Sequence, residues 1–238
     1  MGKGLFITGT DTEVGKTVIA AGLAGFFKQK GIKVGVMKPI QTGAIKRNGR
    51  LISLDIELMI KASGIIENIN LLNPYCLEPP LAPLVASQIT GINLDIKKIL
   101  TAYAKLKAKY EIVIVEGAGG ILVPILNNYL MIDLIKDIEL PILIVAKPSL
   151  GTINHTLLTI KQAQAEGIRV LGVIINALKE DKAEVAERTN PQIIEELSQV
   201  PILAVIPYSH KISLEKRDIG NIVELLKEKM RFDILNLL

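Results

Sequence analysis

Gly9-Thr10-Asp11-Thr12-Glu13-Val14-Gly15-Lys16-Thr17 is the stretch that decides the fold. It follows the apolar run Leu5–Thr8, which reads as a strand, and opens Lys16–Gln29, an apolar segment closed by Gly31 that reads as a helix. A strand turning through glycines into a helix leaves backbone N–H groups unpaired at the turn. Together with the positive helix end they cradle phosphate oxygens. Lys16 then stands where a lysine reaches the β- and γ-phosphates, and Thr17 where a hydroxyl meets Mg²⁺. Five residues rather than four separate Gly9 from Gly15, so Thr10 occupies the place of the usual first glycine. The loop predicts a nucleoside triphosphate, ATP, bound with Mg²⁺.

Outward from this loop the chain alternates strand and helix. Lys33–Met37, Glu111–Val115, Pro141–Ala146, Val170–Ile175 and Ile202–Ile206 read as strands; Asp95–Lys109, Thr152–Glu166 and Pro191–Gln199 read as helices. Asp218–Leu238 reads as a final amphipathic helix whose Leu235, Leu237 and Leu238 must pack on the core or on another subunit. The apolar share is 49%, aromatics are 4% and Trp is absent, so the core is aliphatic. Strands buried on both faces need that composition. The expectation is a single α/β domain over residues 1–238, with a doubly wound, mostly parallel sheet and helices on both faces. Ala44–Pro83 is the least regular stretch, and long irregular segments in compact domains tend to be functional.

Bulk properties narrow the partners. Lys and Arg number 28 against 24 Asp and Glu, a net charge of +4, yet the basic residues are scattered. An anionic small substrate accounts for that balance, and no nucleic acid is expected. One cysteine, Cys76, fits a reducing, cytoplasmic setting. With only His155 and His210, neither a Cys/His zinc set nor a Ser-His-Asp triad is expected. No apolar run has the length of a membrane span, so no membrane partner is expected. Val18–Phe27 reads as a buried helix rather than a signal core, because it follows Asp11, Glu13 and Lys16 in the glycine loop.

A phosphate loop needs a carboxylate for the metal ion at the end of a neighbouring strand. Glu116 ends the apolar run after Glu111 and is followed by Gly117-Ala118-Gly119-Gly120, where the backbone can approach a ligand closely. Lys38 follows the second strand, in Lys38-Pro39-Ile40-Gln41-Thr42-Gly43, and can point into the same crevice as Lys16. Spacing alone does not separate Asp55 from Glu57.

These pieces resemble the dethiobiotin synthetase family over Phe6 to about Tyr208. The markers are Thr8–Thr17, Lys38-Pro39 with Thr42-Gly43, Asn73-Pro74-Tyr75, Val115–Gly120 and Gly151-Thr152-Ile153-Asn154-His155. The resemblance implies an ATP-dependent cyclo-ligase of biotin biosynthesis. It would join 7,8-diaminononanoate and CO2 into a cyclic urea through a carbamate and a carbamic–phosphoric anhydride. It implies Lys16 and Lys38 as catalytic cations, and Thr17, Asp55 and Glu116 on Mg²⁺. The ATP contacts implied are Glu13, Val14, Gly15, Lys16, Thr17, Val18, Asp55, Glu116, Gly117, Ala118 and Gly119, with Asn176, Pro207 and Tyr208 around the base. Thr12, Lys38 and Thr42 would hold the diamine. So would Gly151, Thr152 and Asn154, contributed by the partner of a homodimer with its substrate site at the subunit interface. One departure is Leu84, where related chains often carry His after the proline.

The competing reading is a partition- or septum-type switch ATPase with the same fold and loop. Its signature lysine, five positions before the main one, is here Asp11, which counts against it.

Overall fold

The computed structural model describes residues 3–179, 184–231 and 233–238. In chain order the elements begin β1 (Lys3–Gly9), α1 (Lys16–Gln29), β2 (Val34–Met37), β3 (Ile40–Gln41), β4 (Ile45–Arg47) and β5 (Arg50–Ile52). There follow α2 (Leu54–Ser63), α3 (Ile69–Leu72), β6 (Tyr75–Cys76), α4 (Pro83–Thr90), α5 (Ile96–Lys109), β7 (Ile112–Glu116), β8 (Pro124–Leu126), β9 (Tyr129–Leu130) and α6 (Met131–Ile138). The last are β10 (Ile142–Ala146), α7 (Thr152–Ala165), β11 (Val170–Leu178), α8 (Val185–Ser198), β12 (Ile202–Pro207), α9 (Ile222–Lys229) and α10 (Ile234–Leu237).

The main sheet runs β12-β11-β10-β1-β7-β2, and every pairing in it is parallel. Strands β2, β7 and β10 are buried at every residue, as expected where helices cover both faces. Helix α1 packs with α2 and α9, α5 with α6, and α7 with α8. At Gly22 a side chain would collide with Ile222 and Leu226, so the absence of one lets α1 and α9 approach closely. A single aliphatic core runs through the sheet and these helices. Because the strands are parallel, their carboxyl ends share one edge. There the loops after β1, β2, β7, β11 and β12 gather around a topological switch point.

Three expectations from the sequence need correcting. Pro191 does not start its helix: α8 begins at Val185, where the Glu187 carboxylate accepts the Glu184 N–H at 3.1 Å, and Pro191 lies inside it. The tail is not one helix. Helix α9 stops at Lys229, and α10 starts afresh after Asp233, whose side chain accepts the Leu235 N–H; Phe232 lies outside the described residues. Leu235, Leu237 and Leu238 pack on this chain's own core. Lastly, the irregular stretch 44–83 contains α2, capped at both ends by Ser53 and by a left-handed Gly64.

Candidate active site

The phosphate loop is built as its sequence requires. Glu13 and Gly15 both have positive φ, +56° and +92°. That geometry turns successive N–H groups toward one concavity, an arrangement suited to anions. Only glycine fits at Gly15, because a side chain there would run into the Asn176 amide. Asn176 Nδ2 in turn donates to Val14 O at 3.0 Å, so the end of β11 braces the loop directly. Ala177 follows with φ +65°, beside a register shift in the β11–β12 pairing. Strained backbone of this kind persists where its surroundings hold it, often at functional sites.

Lys16 is buried, and its Nζ donates to Asp11 O at 2.9 Å. Burial lowers its pKa to about 8, against the pull of Glu116. Lys38 leaves β2 into the same space. Its backbone is fixed twice: its N–H donates to Leu72 O at 2.7 Å, and its carbonyl accepts from Asn73 Nδ2 at 2.7 Å. The ammonium meets Glu116 Oε1 at 2.7 Å, Asp55 Oδ2 at 2.8 Å and Gly117 O at 3.2 Å. Burial lowers the Lys38 pKa, but the two carboxylates outweigh it and hold it above the ordinary lysine value. Burial likewise raises the Glu116 pKa, opposed by Lys38 and by the Thr17 hydroxyl, which donates to Oε1 at 2.8 Å. With two donors on one oxygen we assign this pair as ionic at neutral pH.

Asp55 reaches the cluster from the first turn of α2. Ser53 sets the start of that helix: its Oγ accepts the Ile56 N–H at 3.2 Å and donates to Gln41 Oε1 at 2.6 Å. Lys16, Thr17, Lys38, Thr42, Asp55, Glu116, Ala118 and Gly119 line one cleft of about 810 Å³ with Thr12, Glu13 and Gly15. Pro80–Pro83, Gln41, Val123 and Leu214 complete its wall.

Hard divalent cations take oxygen ligands, and Mg²⁺ usually keeps waters and substrate oxygens beside one or two carboxylates. Among the described residues no group of three or more His, Cys, Asp and Glu is placed to hold a metal. Two carboxylates and a hydroxyl do converge here, and Glu116 Oε2 is buried without a hydrogen-bond partner. The donor set therefore fits Mg²⁺ arriving with phosphate.

Val14 is buried under the loop, Val18 is half-buried on α1, and Gly117 follows Glu116. Pro207 ends β12 and the exposed Tyr208 follows it, with Lys179 Nζ 5.7 Å from the Tyr208 ring centre. Gly151, Thr152 and Asn154 do not line the Lys38 cleft. They begin α7, where Thr152 is buried and its N–H is taken by Ser149 O at 3.2 Å. Beside that turn an open cleft of about 600 Å³ is lined by Gly9–Thr12, Gly119–Pro124, His155 and Leu158. Sequence reasoning missed Gln41 and Leu214 as lining residues, and Asn73 as the anchor of Lys38, although Asn73-Pro74-Tyr75 was visible as a motif.

A family model described as an AAA domain matches residues 3–216. An ATP-dependent dethiobiotin synthetase of Thermodesulfovibrio yellowstonii is 43% identical over 223 residues, covering 91% of this chain and 93% of that one. Its counterpart in Bacillus subtilis is 40% identical over 233 residues, covering 98% and 97%. Among solved structures, the septum site-determining protein MinD of Pyrococcus horikoshii superposes with a TM-score of 0.61 at 17% identity, covering 96% of both chains. A ParA family ATPase of Chlorobium tepidum gives 0.59 at 16%, covering 96% of this chain and 98% of that one. At those identities the structural neighbours speak for the fold alone. The sequence relatives cover nearly the whole chain at twice the identity, and by them the chain belongs to the family of ATP-dependent dethiobiotin synthetases.

Proposed function

We propose that this chain closes the urea ring of dethiobiotin from 7,8-diaminononanoate, CO2 and ATP, releasing ADP and phosphate. One amine adds to CO2 and loses a proton, giving a carbamate. A carbamate oxygen takes the γ-phosphoryl group from ATP, with ADP leaving. The second amine then attacks the carbamoyl carbon and expels phosphate. The observation that carries this reading is the placement of two buried lysines, Lys16 and Lys38, in one cleft with Thr17, Asp55 and Glu116.

Phosphoryl transfer needs alignment and charge neutralisation more than covalent help. Lys16, at the first turn of α1, is suited to the β- and γ-phosphates beside the loop N–H groups. A triphosphate there also supplies the counter-charge that favours its protonated form. Lys38, which lines the same cleft, is suited to the carbamate oxygens. Thr17, Asp55 and Glu116 would hold Mg²⁺, which supplies charge neutralisation between phosphate oxygens when bound. Thr12 and Thr42 offer hydroxyls to the diamine, and Pro80–Pro83 an apolar wall for its chain. Asn176 is suited to the adenine edge: one of its two amide N–H groups goes to Val14 O, which leaves the other to donate and Oδ1 to accept from an amino group. Pro207 and Tyr208 flank that position.

We further propose a homodimer with its substrate site at the subunit interface. Two features support it. Gly151, Thr152 and Asn154 do not line the Lys38 cleft of their own chain. Beside them Leu122, Leu150 and Leu158 are 54%, 84% and 59% exposed, a grouping of apolar surface that a second subunit would cover. The whole chain reads as one cytoplasmic domain.

ADP release decides between this and the switch-ATPase reading. Turnover should require diamine and bicarbonate together with Mg²⁺. Slow hydrolysis that ignores the diamine would favour the switch, whose signature lysine is here Asp11, held by the Thr12 N–H at 2.7 Å.

A further inference from the structure

An ammonium has three protons to donate, and the three contacts of Lys38 account for all of them. Asp55 Oδ2, Glu116 Oε1 and Gly117 O surround its Nζ at 2.8, 2.7 and 3.2 Å. In this arrangement Lys38 has no donor left for a substrate oxygen. Two of its three partners are the carboxylates suited to the divalent ion. The third metal candidate, the Thr17 hydroxyl, sits on the same Glu116 oxygen, and Glu116 Oε2 stays buried and unpartnered beside it.

An ion at ordinary Mg²⁺–oxygen distances of about 2.1 Å from both carboxylates would stand against the ammonium in a poorly solvated site, where like charges repel strongly. The geometry points to mutual exclusion: the Lys38 ammonium and a divalent cation take turns on the Asp55–Glu116 pair. The pair parks Lys38 while the metal is away. With metal and nucleotide held by Asp55 and Glu116, Lys38 would have its donors free for the reacting oxygens. Asp55 and Glu116 are then positioning residues for Lys38 as well as ligands. This rests on the proposed metal site and adds to it that the ligand-free protein resists a bare divalent ion because Lys38 already neutralises the carboxylates.

The probe is Mn²⁺, followed by loss of the free-ion electron paramagnetic resonance signal, on the full chain with and without ADP. Without ADP, Lys38→Met should bind Mn²⁺ roughly tenfold or more tightly than the wild type, because two buried carboxylates lose their counter-ion. Lys16→Met removes the same charge from the same cleft, but Lys16 donates to Asp11 O rather than to either carboxylate. It should raise Mn²⁺ affinity clearly less than Lys38→Met does, because its charge acts on Glu116 and Asp55 from a distance without touching either. Equal ADP-free affinity in wild type and Lys38→Met, or equal gains in both variants, overturns the exclusion while leaving the metal site standing. No Mn²⁺ uptake by any of the proteins even with ADP overturns both. If Lys38→Met fails to give a cooperative thermal melt, Lys38→Gln, uncharged but able to hydrogen-bond a carboxylate, takes its place under the same criteria.

Discussion

Gly15 joins the phosphate loop to the brace that Asn176 provides. Its φ of +92° and the Asn176 amide packed against its α-carbon leave no room for a methyl group. Gly15→Ala should therefore push the loop and Asn176 apart while the distant core stays intact. ATP affinity by calorimetry should fall about tenfold or more, a cost of only about 1.4 kcal/mol, with an unchanged far-ultraviolet spectrum. Retained affinity would mean that the loop tolerates the displacement. For the lysines the expectation is kinetic. Lys16→Ala and Lys38→Ala should each lower kcat by about 10²-fold or more, the scale of removing a preorganised charge stabiliser, and wild-type turnover in Lys38→Ala would remove it from the mechanism. These residues were legible because a phosphate site is made of local sequence: a strand, a glycine turn, a lysine and a hydroxyl. Asn73 and Gln41 were not legible as parts of the site. Asn73 acts by holding the Lys38 carbonyl from 35 positions away, and Gln41 by accepting from Ser53. Neither contact leaves a mark on spacing.

Helix α2 shows what an element can hide. It carries Asp55 into the cleft, and Ser53 decides where it starts. Ser53→Ala removes the cap and also strips the buried Gln41 Oε1 of its donor. Urea denaturation should show a loss of about 1–2 kcal/mol, the usual cost of an N-cap with a further polar group unpaired. A change under about 0.3 kcal/mol, the scale of a neutral surface substitution, would show that α2 needs no cap. Both boundary signals of this helix, the start at Ser53 and the stop at Gly64, stood in the sequence. They were overlooked because its apolar residues do not form a strong stripe and the neighbouring prolines suggested a loop. The sheet strands were easy for the opposite reason: buried on both faces, they are continuous aliphatic runs. Pro191 misled because proline favours the first helical turn, whereas here it sits well inside α8.

Across the whole molecule, the parallel sheet sends Lys16, Lys38, Glu116, Asn176 and Tyr208 to one edge, yet Gly151, Thr152 and Asn154 do not line the cleft that Lys16, Lys38 and Glu116 share. If the family's substrate site is shared between subunits, that separation is what a single chain should show. Sedimentation should then give twice the chain mass of 25.9 kDa, and Leu150→Asp, placing a charge on apolar contact surface, should shift the equilibrium toward monomer. Mixing damaged subunits is a sharper test. Lys38→Ala spoils the cleft, and Gly151→Asp sets a negative charge where the substrate carboxylate would bind, so each alone should be poor at low diamine. In a heterodimer with shared sites, one site collects both lesions and the other has neither. Equal mixing gives half heterodimers with one intact site of two, so activity should recover to roughly a quarter of the wild type. If each site belonged wholly to one chain, every site would keep one lesion and mixing would restore nothing. That outcome would place the Gly151 turn in the site of its own chain and leave the exposed leucines without the role assigned to them.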